Sequence, residues 1–256
     1  MNHARWTAAR RIALWHLGVV LLVLLAVAAL VWGLWYPPPF DQLAHARQLF
    51  GLLVLGLLVS GPLLTLLLYR PDKPRYQWRV DMALIAGLQL LVLGFGMHQL
   101  AQSRPVVVGF EGDRLRLVQA GSISPGQLDQ APPEWAQLGY GGPRWQGVQL
   151  LANTDPQYPQ SVQLAMRGLH PAMRPERWRA YASQQAQVQQ ALQSLAALRA
   201  LHPAAGMQID QAIDRSGHSE AELGFLPLMH DNESDWVVLL RRVDAVPVGY
   251  APLSGW

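Results

Sequence analysis

The sequence predicts a membrane protein of the α+β class, in which three N-terminal transmembrane helices carry a second domain with a small antiparallel sheet and one long helix. Three observations predict it. Apolar runs fill about residues 12–36, 49–69 and 82–99, and no later stretch approaches their hydrophobicity. A helix rises about 1.5 Å per residue and a hydrocarbon core is about 30 Å thick, so about twenty apolar residues span it. From residue 105 the pattern changes to short β-branched or alternating stretches at both ends of the segment, with helical spacing between them. An anchor at 1–103 and a domain at 104–256 follow.

Charge orients the anchor. Arg5, Arg10 and Arg11 precede the first run without an acid, and Arg70, Lys73, Arg75 and Arg79 stand against Asp72 and Asp81 between the second and third. The loop between the first and second runs holds Arg47 against Asp41. Cationic loops stay on the cytoplasmic side, which puts the N-terminus and the 70–81 loop inside and the 37–48 loop outside. Everything after about residue 100 is then outside, which for a bacterial inner membrane is the periplasm. Trp32, Trp35 and Tyr36, and Tyr69, Tyr76 and Trp78, fall where interfacial aromatics belong. The first run exceeds the h-region of a signal peptide, about 7–15 residues, and Trp35-Tyr36-Pro37 follows it in place of small residues, so it reads as a retained helix.

Within the anchor, Pro62 in Ser60-Gly61-Pro62-Leu63-Leu64-Thr65 predicts a bend near Gly61, with the freed carbonyls met by Ser60, Thr65 or a neighbouring helix. Gly51, Gly56, Gly87, Gly94 and Gly96 offer surfaces for close helix approach. Gln89 is the deepest polar side chain and reads as an interhelical hydrogen bond. Asp81 opens the third run, where the helix dipole favours it and Arg79 can pair with it. His16 and His98 read as lying near an interface. Three helices with so little polarity make a poor channel.

In the second domain, Val106 to Glu111 and Asp113 to Val118 read as a hairpin turning at Gly112-Asp113. Turn formers crowd 120–160, with short helices expected near Glu134 and Gln146. Pro175 to Leu201 reads as the long helix: Pro175 suits a first turn, and Trp178, Tyr181, Val188, Leu192, Leu195 and Leu198 recur at spacings near three, four and seven. Its glutamine-rich face reads as solvated. A helix over Met207–Arg215, a turn at Ser219–Leu223 and a final hairpin, Trp236–Leu240 with Pro247–Leu253 around Asp244, complete a four-stranded expectation.

Composition excludes several functions. Residues 1–104 hold 9 Lys+Arg against 3 Asp+Glu, and 105–256 hold 11 against 14, so the basic charge belongs to the membrane flanks. The second domain is mildly acidic and has no basic cluster with interleaved aromatics, which excludes nucleic acid. Cysteine is absent, and with it disulfides and thiol chemistry. No nucleophile elbow, phosphate loop or zincin motif occurs, and no catalytic residue or cofactor is assigned. His218, Glu220, Glu222, His230 and Asp231 are residues of metal-ligating type, but their spacing matches no ligand pattern, so no metal is assigned. Arg104, Glu111, Asp113, Arg114 and Arg116 read as the solvated face of the first hairpin.

The order of features resembles a known family. An Arg-bearing N-terminus, a first helix ending in Trp35-Tyr36-Pro37, a second with Gly61-Pro62-Leu63-Leu64-Thr65 and an inner loop Pro71-x-Lys73-Pro74 leading to Asp81 come first. A third helix with Gln89 and Gly94, then Arg104-Pro105 and Phe110-Glu111-x-Asp113-Arg114, follow. Together they resemble the type IV pilin accessory proteins of the TfpZ, FimB-like kind over residues 1 to about 118, with weaker likeness to the end. There Ser254-Gly255-Trp256 stands where members often close with an acidic residue, proline and tryptophan. The resemblance implies an inner-membrane accessory protein that acts with the type IV pilin or the pilus assembly platform, without catalysis. It transfers no functional residues. Gly61, Pro62, Thr65, Asp81, Gln89, Arg104, Phe110, Glu111, Asp113 and Arg114 are the candidate partner contacts. The alternative is a periplasmic sensor or scaffold, for which the short cytoplasmic segments leave no output domain.

Overall fold

Each apolar run becomes a helix, since in lipid every backbone amide and carbonyl must be satisfied within the segment. The computed structural model describes residues 2–70, 72–230 and 233–256; Pro71 and Asp231 lie outside them. The chain forms two units, Met1–Arg104 and Pro105–Trp256.

In the first unit α1 (Asn2–Leu30) continues through a π-turn, Val31–Trp35. A short α2 (Phe40–Leu43) leads to α3 (Ala46–Leu58), a second π-turn (Val59–Leu63) and α4 (Leu64–Leu68), and then α5 (Arg75–Ser103). Three stretches, Trp6–Trp35, Ala46–Leu68 and Arg75–Ser103, are long and apolar enough to cross a membrane. The irregularity expected near Gly61 is the second π-turn. Pro62 has no N–H and its ring would meet the carbonyl one turn back, and widening the helix by one residue relieves both. α5 starts at Arg75, well before the apolar residues begin, so Asp81 lies in its second turn and cannot serve the orphan amides of the first. Its carboxylate pairs with Lys73 instead of Arg79.

The 37–48 loop is packed. Tyr36 is fully buried and its hydroxyl donates to the carbonyl of Leu100, 2.7 Å away, one of the last four of α5 that no amide of that helix can reach. Phe40, Leu43, Ala44 and Ala46 are buried with it, and buried Asp41 accepts from Arg47 Nε at 2.8 Å. Trp32 meets Phe50 edge to face at 4.7 Å.

The second unit is a seven-stranded sheet with short helices. In chain order come β1 (Pro105–Phe110), β2 (Leu115–Gln119), α6 (Pro125–Leu128), β3 (Arg144–Val148), α7 (Tyr158–Met166) and β4 (Trp178–Ala180). Then follow α8 (Gln185–Ala191), α9 (Leu195–Leu201), α10 (Gly206–Ser216), β5 (Leu223–His230), β6 (Glu233–Arg241) and β7 (Pro247–Ala251). The strand order is β4-β3-β1-β2-β5-β6-β7, with β1 parallel to β3, β2 parallel to β5, and the other neighbours antiparallel. The α+β class stands, but the sheet is larger and mixed. Every residue of β1 and β5 is buried. Leu195, Leu198, Ile209 and Ala212 of α9 and α10 close over Phe225, Val237 and Leu239 at one end of the sheet, and Trp178, Ala172 and Met173 cover Val107 and Val118 at the other.

Both expected hairpins form. The helix expected over 175–201 is divided, because tertiary partners outbid its local periodicity. Trp178 pairs with Val148 as β4, with its indole N–H donating to Ala172 O at 2.8 Å. Gln193 exchanges two backbone hydrogen bonds with Phe225, both 3.0 Å, and Ser194 then caps α9. The helix expected near Gln146 is instead β3, sandwiched between β1 and β4. The glutamine face is not simply solvated: Gln184 accepts from Val148 N at 2.9 Å and donates to Val148 O at 3.0 Å, doing what a neighbouring strand residue would do.

Candidate functional site

The membrane unit holds a polar clasp that ties its three spans together. His16 of α1 lies 2.7 Å from Thr65 Oγ1 through Nδ1 and 2.7 Å from Gln89 Oε1 through Nε2. With a carbonyl oxygen facing Nε2, that nitrogen carries the hydrogen and Nδ1 accepts from the Thr65 hydroxyl. Gly61 makes the room. A methyl there would lie 2.1 Å from Gln89 Nε2 and 3.3 Å from His16 Nε2. Three of the residues singled out from sequence, Gly61, Thr65 and Gln89, thus converge on His16, which was read as interfacial and not selected. Thr65 is fully buried and faces the bundle interior. Pro62 contributes the π-turn that carries Gly61, and Asp81 belongs to a separate pair with Lys73.

Close packing elsewhere in the bundle is carried by glycine: Gly56 lies against Val92, and Gly96 against Leu53. Beside the clasp, α1 and α5 leave a groove of about 230 Å³ lined by His16, Val19, Val23, Ala86, Gln89 and Leu90 among others. The Arg104 guanidinium lies 5.9 Å from the Trp35 ring centroid and donates to Ala101 O at 3.1 Å.

In the second unit the hairpin charges divide into two sets, which corrects their reading as one solvated face. Glu111 and Arg116 are a buried pair, 2.8 Å apart, and the second Glu111 oxygen accepts from Ala172 N at 2.8 Å. The ion pair therefore fixes β1, β2 and the 171–173 turn, and Phe110 beside it is core. Asp113 and Arg114 are at the surface. They bond through two contacts of 2.7 and 2.9 Å, which hold the Asp113 carboxyl below its usual range, and the Arg114 guanidinium lies 4.9 Å from the ring of half-exposed Trp256. Nothing in the hairpin's own pattern pointed to Trp256. Its position follows from Gly255 lying against the ring of Pro227 and His202 Nε2 meeting Ser254 O at 2.7 Å.

The metal-type residues are dispersed. Glu220 bonds Arg199 at 3.0 Å, and Glu222 accepts from Ser219 in a capping box. Among the described residues no group of three or more His, Asp or Glu could hold a metal ion.

Comparison with known proteins fits this architecture to a family. The profile described as Fimbrial assembly protein FimB matches residues 4–45, which run from α1 through the packed loop to the residue before α3. The chain is 32% identical over 243 residues to the fimbrial assembly protein of Dichelobacter nodosus serogroup E1, covering 94% of each chain. This chain belongs to the FimB family of fimbrial assembly proteins. The serogroup I relative from the same organism is likewise 32% identical, over 244 residues and 94% of each chain. The serogroup C1 and C2 relative is 36% identical over 131 residues, all of its own length and 51% of this chain. No solved structure matches. The similarity to the serogroup E1 and I relatives thus runs through both units.

Proposed function

We propose that this FimB-family chain is a fimbrial biogenesis factor of the bacterial inner membrane that works by contact with the fimbrial subunit or its assembly platform, without catalysis. The observation that carries this is the 32% identity to fimbrial assembly proteins over 94% of the chain. The positive flanks of the spans support a cytoplasmic N-terminus and a periplasmic position for residues 105–256. Two polar sets in the anchor and first hairpin support a role in contact over chemistry, since their members bond one another: His16 with Thr65 and Gln89, Glu111 with Arg116 and Ala172. The Asp113, Arg114 and Trp256 surface is the contact we assign to the subunit's extramembrane part; an exposed tryptophan against an arginine is a common anchor of protein interfaces.

Two experiments test the reading. Deleting the gene alters surface pilus number or length; a deletion strain with normal pili removes the fimbrial role. Because the chain has no cysteine, a single cysteine at exposed Ser183 reports topology. An impermeant thiol reagent labels it in intact spheroplasts, and labelling only after lysis reverses the orientation.

A further inference from the structure

We propose that one end of the helix bundle holds a binding site for the phosphate of an anionic phospholipid headgroup. Where the second span ends and the third begins, Tyr69, Arg70, Lys73, Arg75 and Trp78, with Ile12 of α1, line a pocket of about 210 Å³. The site goes beyond the fimbrial reading and stands whichever face of the membrane this end meets. It requires only that the three long apolar helices cross a bilayer.

Charge sets the ligand. Three of the six lining side chains are cationic and none is acidic. Lys73 pairs with Asp81, whereas no described carboxylate pairs with Arg70 or Arg75. The Lys73 pair ties the loop to the second turn of α5, so Asp81 acts as a positioning residue that keeps both arginines at one space. Asp72, the other acid of the loop, is exposed and does not line the pocket. The first turn of α5 supplies no counter-charge either, since it holds no acid and Pro74 before it makes no side-chain cap. Cations gathered around one space repel, and the more so where water thins out towards the hydrocarbon. A bound anion reverses that, and the planar fork of guanidinium donors matches phosphate oxygens.

Position sets the source of the phosphate. The pocket lies at the ends of the spans, where Tyr69 and Trp78 stand as aromatics do at headgroup level, and Ile12 gives it an apolar wall. A phospholipid matches both halves of this lining, with its phosphate against the arginines and its glycerol and chain carbons against Ile12 and the rings. A phosphate ion in solution matches only the first. An anionic lipid also keeps the net charge that a zwitterionic one cancels within its own headgroup.

The test titrates full-length protein in an uncharged detergent with phosphatidylglycerol or with phosphatidylcholine, and counts bound lipid by native mass spectrometry. The protein holds one phosphatidylglycerol more tightly than any other lipid. Arg70→Gln with Arg75→Gln weakens that binding about thirtyfold, from about fivefold for each basic residue at an anionic surface. Arg11→Gln with Arg79→Gln removes the same charge outside the pocket and leaves that lipid in place. All four side chains are exposed, so each variant keeps the helix content of the parent, as circular dichroism checks. Equal weakening in the two double variants makes the attraction a diffuse property of basic flanks and overturns the site, as does equal binding of the two lipids. Inorganic phosphate that displaces the lipid at comparable concentration gives the pocket to a soluble anion and overturns the lipid assignment.

Discussion

Gly61→Ala is the sharpest test of the clasp. The new methyl would lie 2.1 Å from Gln89 Nε2 and 2.8 Å from its Cδ, so the amide must swing away and its hydrogen bond to His16 is lost. Interhelical hydrogen bonds in membranes contribute about 0.6 kcal/mol on average and up to about 1.7. Alanine also gains about 1 kcal/mol of helix propensity over glycine, so the single variant alone shows a net change near zero to about 1 kcal/mol. The coupling is more informative than the single value. In a Gln89→Ala background the clashing amide is absent, and the same glycine change becomes neutral or stabilising. The propensity gain cancels in the double-mutant cycle, which therefore yields a coupling of about 0.6–1.7 kcal/mol, measured from the unfolding free energy of the purified protein in micelles. A coupling within about 0.3 kcal/mol of zero means that Gly61 does not cradle the amide, and the clasp as described is wrong.

Four further outcomes follow from the second unit. Glu111→Ala removes the carboxylate that meets buried Arg116 Nε and the Ala172 amide and costs about 3 kcal/mol, read as a fall in denaturation midpoint; a cost under about 1 kcal/mol contradicts a buried pair. Gln184→Ala removes both bonds to Val148, costs about 1–3 kcal/mol and accelerates hydrogen exchange at the Val148 amide, whereas unchanged exchange there refutes the strand-mimic role. Burial pushes the Tyr250 hydroxyl from its ordinary value of 10.0 up to about 12, so its contribution to stability is full below pH 10 and is lost as pH rises through 12. Tyr250→Phe should flatten the alkaline limb of the denaturation midpoint. Trp256→Ala costs at most about 1 kcal/mol, as an exposed cation–π contact should, yet reduces pilus number if this surface meets the subunit; a stability loss without a piliation change makes the contact purely structural.

The spans were legible because twenty consecutive apolar residues allow one solution in lipid, whatever surrounds them. Their ends were not. Helices continue into polar residues, so counting depth from the onset of hydrophobicity put Asp81 at a helix start and His16 near an interface, whereas α5 begins at Arg75 and α1 at Asn2. Strand β5 was hidden by Pro227, which argues against an interior strand. It is tolerated because its missing N–H falls on an edge where the ladder is interrupted: Phe225 pairs with Gln193, and pairing with β2 begins only at Leu228. The break at 178–180 had no local sign at all, since the spacing of Trp178, Val188 and Leu195 is equally good for a helix and is decided by Val148 and Phe225, far away in sequence.

The same contrast governs how far a site can be read from sequence. In hydrocarbon a polar side chain without a partner is costly, so few are present, and Gln89 and Thr65, chosen for depth and position, proved to share one histidine. In the sheet unit charged residues are plentiful and water competes for all of them, so Glu111, Asp113, Arg114 and Arg116 are indistinguishable until strand geometry sorts them. Period-two alternation alone would put Arg114 and Arg116 on the same side of β2. The chain turns at Gly112 and β2 begins only at Leu115, so Arg116 is carried into the core while Arg114 stays outside against Trp256. A partner that reads the outer pair leaves the inner pair untouched, and substitutions at Arg114 and Arg116 should therefore separate recognition from folding.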